Sequence, residues 1–258
     1  MPTRDEILTE LGLAPVWRLR TRPENGCTPA ASAETNLPLG PAAERAPAAA
    51  LAEDPEERAA RIATLEWRDF DRDVEACVAC GLARGRKKAV PGVGDRNADW
   101  LFVGEGPGSE EDAKGEPFVG QAGKLLDNML AALGMKRGEN VYIANVVKCR
   151  PPNNRTPEPR EIEACRPYLD RQIALLRPRL IVALGKSAAT TLLDAEATIA
   201  SLRGRVHSYH SVPLVVTYHP AYLLRNLADK AKAWEDLLFA RRTLRMTADG
   251  GDPAAGAS

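Results

Sequence analysis

Four short apolar runs rich in Val, Leu and Ile recur along the chain at residues 100–103, 141–144, 180–184 and 214–217, each preceded by a turn or a charged stretch. Their length is that of strands rather than helices, and unbroken apolar character is the mark of strands covered on both faces. Between them, apolar positions three and four apart predict helices over residues 122–133, 159–176 and 187–193, and an amphipathic helix over residues 229–245 closes the pattern. Strands alternating with helices predict an α/β fold, a three-layer α/β/α sandwich with a central, mostly parallel sheet of about four strands. In such sheets ligands gather at the carboxyl ends of the strands. The first run ends in Gly104-Glu105-Gly106-Pro107-Gly108 and the last in Tyr218-His219-Pro220, which puts polar and Gly-rich residues at that edge.

The remainder of the chain divides by composition. Residues 1–25 hold a short amphipathic segment in which Ile7, Leu8, Leu11 and Leu13 share a helical stripe ahead of Trp17. It reads either as a partner-binding tag or as a segment that packs back on the body. Residues 26–60 read as a flexible linker: over 28–60, Ala and Pro occupy 17 of 33 positions, too little large apolar surface to offset ordering entropy, with a helix starting near Pro55. The body runs over residues 61–246, and residues 247–258 read as a disordered tail. No apolar window reaches the length of a membrane span, and the first residues lack the profile of a secretory signal, so a cytoplasmic, membrane-free monomer is expected.

The formal net charge is zero, which excludes a protein that coats nucleic acid through bulk electrostatics. The average conceals an asymmetry, because residues 61–258 carry 29 basic and 25 acidic side chains. A weak positive bias suits an enzyme that binds DNA and releases it, and is also common in proteins that never touch DNA.

Five cysteines in a chain read as intracellular point to metal rather than disulfides. Cys77 and Cys80 form a Cys-x-x-Cys pair, and Cys149 and Cys165 add one thiol each beside prolines; Cys27 has no neighbour in this pattern. Zinc and a 4Fe-4S cluster both accept four thiolates, and plain buried thiols are the third alternative. One pair plus two singletons leans towards the cluster.

The Gly-rich turn after the first strand lets backbone approach a ligand. The acidic residues Glu110, Glu111 and Asp112 that follow oppose a phosphate there, and no Walker-type motif is present. His219 at a strand end would share its face with Glu105 and with Asn145, which follows the second run.

Taken in order, GEGPGSEED, GEPFVGQAG, IANVVKCRPP, HPAYLLR and the cysteine pattern resemble the family 4 uracil-DNA glycosylases over about residues 66–245. The resemblance implies a repair enzyme that flips uracil out of DNA and hydrolyses its N-glycosidic bond, with a 4Fe-4S cluster on Cys77, Cys80, Cys149 and Cys165. It implies that Phe118 stacks on the base, Asn145 reads its polar edge, and His219 donates to O2. Glu105 would lie by the sugar, on a turn completed by Gly106 and Gly108; better-known relatives carry an acidic residue where Gly106 stands. By the same analogy Glu111 excludes the thymine methyl, although a carboxylate in a helix's first turn needs no such role. Leu223, Leu224 and Arg225 would enter the duplex behind the flipped base. Ser187 would hold a phosphate or serve as an ordinary N-cap, and Arg150 and Arg155 would sit near DNA. The rival readings are a non-catalytic uracil-DNA binding protein and a covalently trapping enzyme. The latter would use a histidine in an inserted loop, and no histidine lies between Asn145 and Cys165.

Overall fold

The structure, a computed structural model, describes residues 53–248. The amphipathic segment at 1–25, Cys27, most of the linker and the tail beyond residue 248 lie outside the described residues. The helix expected near Pro55 is present as α1 (Pro55–Ala63): Asp54 accepts from the amides of Glu56 and Glu57, and Pro55 takes the first turn, where its missing N–H costs nothing. Helix α2 (Trp67–Ala76) follows, burying Phe70 and Val74, which stand four residues apart.

Six strands form the sheet: β1 (Val93–Gly94), β2 (Trp100–Gly104), β3 (Val141–Asn145), β4 (Leu180–Leu184), β5 (His207–Tyr209) and β6 (Val212–Thr217). Their order is β1-β3-β2-β4-β6-β5. The four central strands are parallel and are the four apolar runs of the sequence. The expected count of about four is corrected to six by two short antiparallel edge strands, β1 on β3 and β5 on β6. With two and three residues respectively, and one face at the sheet's rim, neither edge strand needs an apolar run.

Helices α3 (Ser109–Lys114) and α4 (Gln121–Ala132) lie between β2 and β3, and α5 (Pro159–Leu176) between β3 and β4. After β4 come α6 (Lys186–Leu193) and α7 (Ile199–Leu202), and after β6 come α8 (Pro220–Leu223) and α9 (Lys230–Ala248). The period of two along each strand sorts side chains into two cores. Leu101, Val103, Tyr142, Ala144, Ile181, Ala183, Leu214 and Val216 face α1, α2, α5 and α6. Phe102, Ile143, Val182 and Val215 face α4 and α9, meeting Leu126, Leu130, Leu237 and Ala240. Helices therefore cover both faces, and the three-layer expectation holds. Among the described residues no helix is long and apolar enough to cross a membrane.

Candidate functional site

Pairing between β2 and β3 ends with Gly104 opposite Asn145, and two further bonds prolong it: the amide of Val146 donates to the Gly104 carbonyl (2.9 Å) and that of Val147 to the Glu105 carbonyl (3.2 Å). The extension fixes Glu105 and Asn145 side by side. At the same edge of the sheet His219 follows β6, and Gly185 follows β4 with φ +91°. A Cβ on Gly185 would stand 2.8 Å from His219 Cβ, so only glycine admits the histidine here.

Phe118 approaches from the segment before α4 in the left-handed region, φ 54°, uncommon for a bulky residue. Its backbone is clamped from two sides. Arg137 donates to the carbonyls of Pro117 (2.9 Å) and Phe118 (2.8 Å), and the Glu111 carboxylate accepts from the amides of Val119 (2.9 Å) and Gly120 (3.1 Å) as well as Gly108 (3.1 Å). Glu111 thus braces the turn, whatever else it touches. Gly104 leaves room for the ring: a Cβ there would meet Asn145 Oδ1 at 2.5 Å and Phe118 at 2.6 Å.

These residues open on one cavity of about 510 Å³. Glu105, Gly106, Gly108, Glu111, Phe118, Asn145, His219 and Arg225 all line it, as does Arg155. The sequence reading missed Asn154, Thr156 and Tyr222 on the same wall. Gly106 packs against Val147, whose Cγ2 a Cβ would meet at 2.8 Å, so an acidic side chain has no place there without movement.

The electrostatics distinguish two groups. Burial lowers His219 to about 4, Arg225 adding to the effect and Glu111 opposing it, so the ring is neutral at physiological pH. Its Nδ1 accepts from the Ala221 amide (3.1 Å), which assigns the proton to Nε2. Burial raises the Glu105 carboxyl, and the nearby Ser187 and Thr156 hydroxyls oppose the rise. Ser187 lies near this carboxylate, and the N-cap position of α6 belongs to Gly185, not to Ser187.

The loop expected to enter the duplex needs correction at one residue. Leu223 is only 1% exposed, because α8 is a single turn that rotates it into the core, whereas Leu224 is 42% exposed and free to meet a base stack. Leu223→Ala is expected to cost about 2–5 kcal/mol of stability, and Leu224→Ala to leave the denaturation midpoint nearly unchanged while weakening action on duplex substrate. Equal loss of stability in both would contradict this assignment. Of the expected DNA contacts, Arg155 is held by both terminal nitrogens on the Glu161 carboxylate (2.8 and 2.7 Å), and Arg150 rests on Asn154 (2.7 Å). Both are pre-positioned by protein partners.

Behind the cavity, all four cysteines of the pattern are free thiols packed in or against the same core. Arg58 donates to Cys77 Sγ (3.3 Å), Arg86 to Cys149 Sγ (2.8 Å), and the Lys148 amide to Cys165 Sγ (3.3 Å). Burial pushes the Cys165 thiol up to about 12 and raises Cys149, so neither ionises unaided. Among the described residues, no three or more His, Cys, Asp or Glu side chains form a group that would hold a metal ion.

Comparison with known proteins agrees with this geometry. Residues 91–238 match the family described as the Uracil DNA glycosylase superfamily. The chain is 49% identical over 164 residues to the type-4 uracil-DNA glycosylase of Archaeoglobus fulgidus, covering 60% of this chain and 82% of that protein. Identity is 46% to the type-4 enzyme of Pyrobaculum aerophilum, covering 64% and 87%, and 47% to that of Thermotoga maritima, covering 62% and 83%. With the matched family spanning more than half of the sequence and the strand-end cavity built from the matched motifs, the chain belongs to the uracil DNA glycosylase superfamily and, within it, to the type-4 uracil-DNA glycosylases.

Proposed function

We propose that this chain is a DNA-repair glycosylase that takes uracil out of the base stack and hydrolyses its N-glycosidic bond, leaving an abasic site. One observation carries the reading: Glu105, Phe118, Asn145 and His219, from four separate segments, face one cavity. Chemistry on a base demands that it leave the duplex and be recognised in a pocket. Phe118 offers the stacking surface. The Asn145 carboxamide presents donor and acceptor together, matching O4 and N3–H of uracil and mismatching cytosine. As the C1′–N1 bond breaks, its electron pair moves into the pyrimidine, and the Nε2–H of His219 meets the charge growing on O2. Glu105, with the Ser187 and Thr156 hydroxyls near it, faces the sugar, where it steadies the cationic centre and takes the proton of the water that adds to C1′. Arg225 lines the cavity and its neighbour Leu224 is exposed, suited to a phosphate and to the gap left in the stack.

The residues behind the site suit a 4Fe-4S cluster on Cys77, Cys80, Cys149 and Cys165. Two guanidinium groups and a backbone amide already point at three of the sulfurs, which offsets the negative charge of a thiolate-held cluster. Zinc also accepts four thiolates, but one Cys-x-x-Cys pair plus two single cysteines leans towards the cluster. Those cysteines would thereby join the Cys77 loop to α5 and to the segment after β3, a structural role, since hydrolysis needs no electron.

Anaerobically purified protein is expected to show iron-sulfur absorbance and to convert uracil-containing, but not matched thymine-containing, oligonucleotides to abasic sites. Asn145→Ala is expected to lose most of that turnover and to keep its colour. Intact uracil after prolonged incubation with the unaltered chain would overturn the enzymatic reading, and a DNA adduct stable to denaturation would replace hydrolysis with covalent capture.

A further inference from the structure

Lys148 is 1% exposed, among the largest fully enclosed side chains of the protein. An ammonium group has three donors and no acceptor, and enclosing one is costly unless its donors find partners. Its partners indicate what the charge is for. Nζ donates to the backbone carbonyl of Asn145 (2.7 Å) and to Oε1 of Gln172. Gln172 cannot turn away, since its amide nitrogen is held by the Pro91 carbonyl (2.8 Å) and the Tyr142 hydroxyl (3.2 Å). The main chain of the same lysine is fixed too: its amide meets Cys165 Sγ and its carbonyl accepts from Val90 (2.8 Å).

The geometry points to Lys148 as the positioning residue of Asn145, a strut that holds the strand-end carbonyl and thereby sets the direction in which the carboxamide meets the base. Asn145 is the last residue of β3, where ladder bonding gives way to loop, and the carboxamide's aim depends on the peptide unit that follows it. The ladder extension through Val146 and Val147 holds this unit from the β2 side. Lys148 holds it from the opposite side, through α5 and Gln172, so that the peptide has no free rotation. The strut also joins the base-reading residue to the cysteine region, because the lysine lies next to Cys149 in sequence and bonds Cys165 through its amide.

This inference rests on the glycosylase reading. Its test is a double-mutant cycle on single-turnover uracil release by the holoprotein, with Lys148→Met, Asn145→Ala and the pair. Lys148→Met alone is expected to slow release about 10- to 100-fold, with iron-sulfur absorbance retained. In the Asn145→Ala background it is expected to add less than about twofold, since there is no carboxamide left to aim. Gln172→Met keeps the lysine and removes its brace; it is expected to give a smaller loss that also vanishes in the Asn145→Ala background. It decides the matter if Lys148→Met does not fold. The inference is overturned by equal losses in both backgrounds, by a loss that tracks bleaching of the cluster, or by unimpaired release in both single variants. An unaltered chain that releases no uracil overturns the glycosylase reading with it.

Discussion

Replacing His219 with alanine is expected to lower the rate of uracil release about 10²–10³-fold, the usual effect of deleting a donor that meets charge developed in the transition state. The neutral ring is what makes the loss large. With Nδ1 occupied by the Ala221 amide, the Nε2 proton is available without rotation or ionisation, so no reorganisation accompanies bond breaking. Because burial holds the group near 4, its protonation state does not change between pH 5.5 and 8. A rate that falls in that window through His219 would contradict the assignment. His219→Gln, which retains an N–H donor, is expected to recover part of the rate. The same shift bears on stability. The folded state takes up the His219 proton only near pH 4 whereas the unfolded chain takes it up near 6.5, so the folded form is favoured above 6.5 and loses that advantage as pH falls towards 4. Allowing for the open mouth of the cavity, this is worth ~2 kcal/mol. Denaturant melts of parent and His219→Ala across pH 4–7 are expected to converge at the acid end.

Gly123→Ala is expected to have the largest effect of any glycine-to-alanine change among the described residues. The added Cβ would lie 1.8 Å from the Phe118 carbonyl oxygen and 2.2 Å from its carbon. Both are backbone atoms, and the backbone there is held by Arg137 on one side and Glu111 on the other, so neither α4 nor the Phe118 turn yields cheaply. A cost of about 3 kcal/mol or more follows, read as a shifted urea midpoint. Uracil release by the fraction still folded is expected to fall as well, because relief of the clash displaces the ring. Gly85→Ala, with nothing within 4 Å of the new carbon, is the control and is expected to stay within about 0.5 kcal/mol of the parent. Indistinguishable midpoints for the two variants would mean that the approach of α4 to the Phe118 turn is looser than described.

The sequence made the central strands and α5 legible for different reasons. Residues 180–184 are apolar without interruption because β4 is covered on both faces, and α5 carries its own boundary in Pro159 and the Glu158–Glu161 capping box. The edge strands left no such trace, since a two-residue strand containing Gly94 has no pattern to display. Most of the cavity was legible because its residues fall at strand ends within recognisable motifs. What escaped depended on contacts between distant segments. Ser187 reads as a phosphate ligand or a cap in sequence, and only the fold shows the N-cap to be Gly185 and brings Ser187 near Glu105. Leu223 and Leu224 are the same residue type side by side, and only the rotation of one helical turn separates the buried one from the exposed one. Lys148, within a Val-Val-Lys-Cys run, became informative only when its side chain was found enclosed.

The strand order β3-β2-β4-β6 has a consequence for what the enzyme accepts. Asn145, which would read O4 and N3–H of the base, ends one outer member of this quartet, and His219, which would meet O2, follows the other. Neighbouring strands repeat at about 4.8 Å, so the outer two strands of the quartet are some 14 Å apart. That interval is laid down by interstrand hydrogen bonds and behaves as a fixed caliper. A base of the wrong width therefore meets a gauge set by the sheet itself, and widening it for a larger substrate would require rebuilding the centre of the fold rather than relaxing a loop.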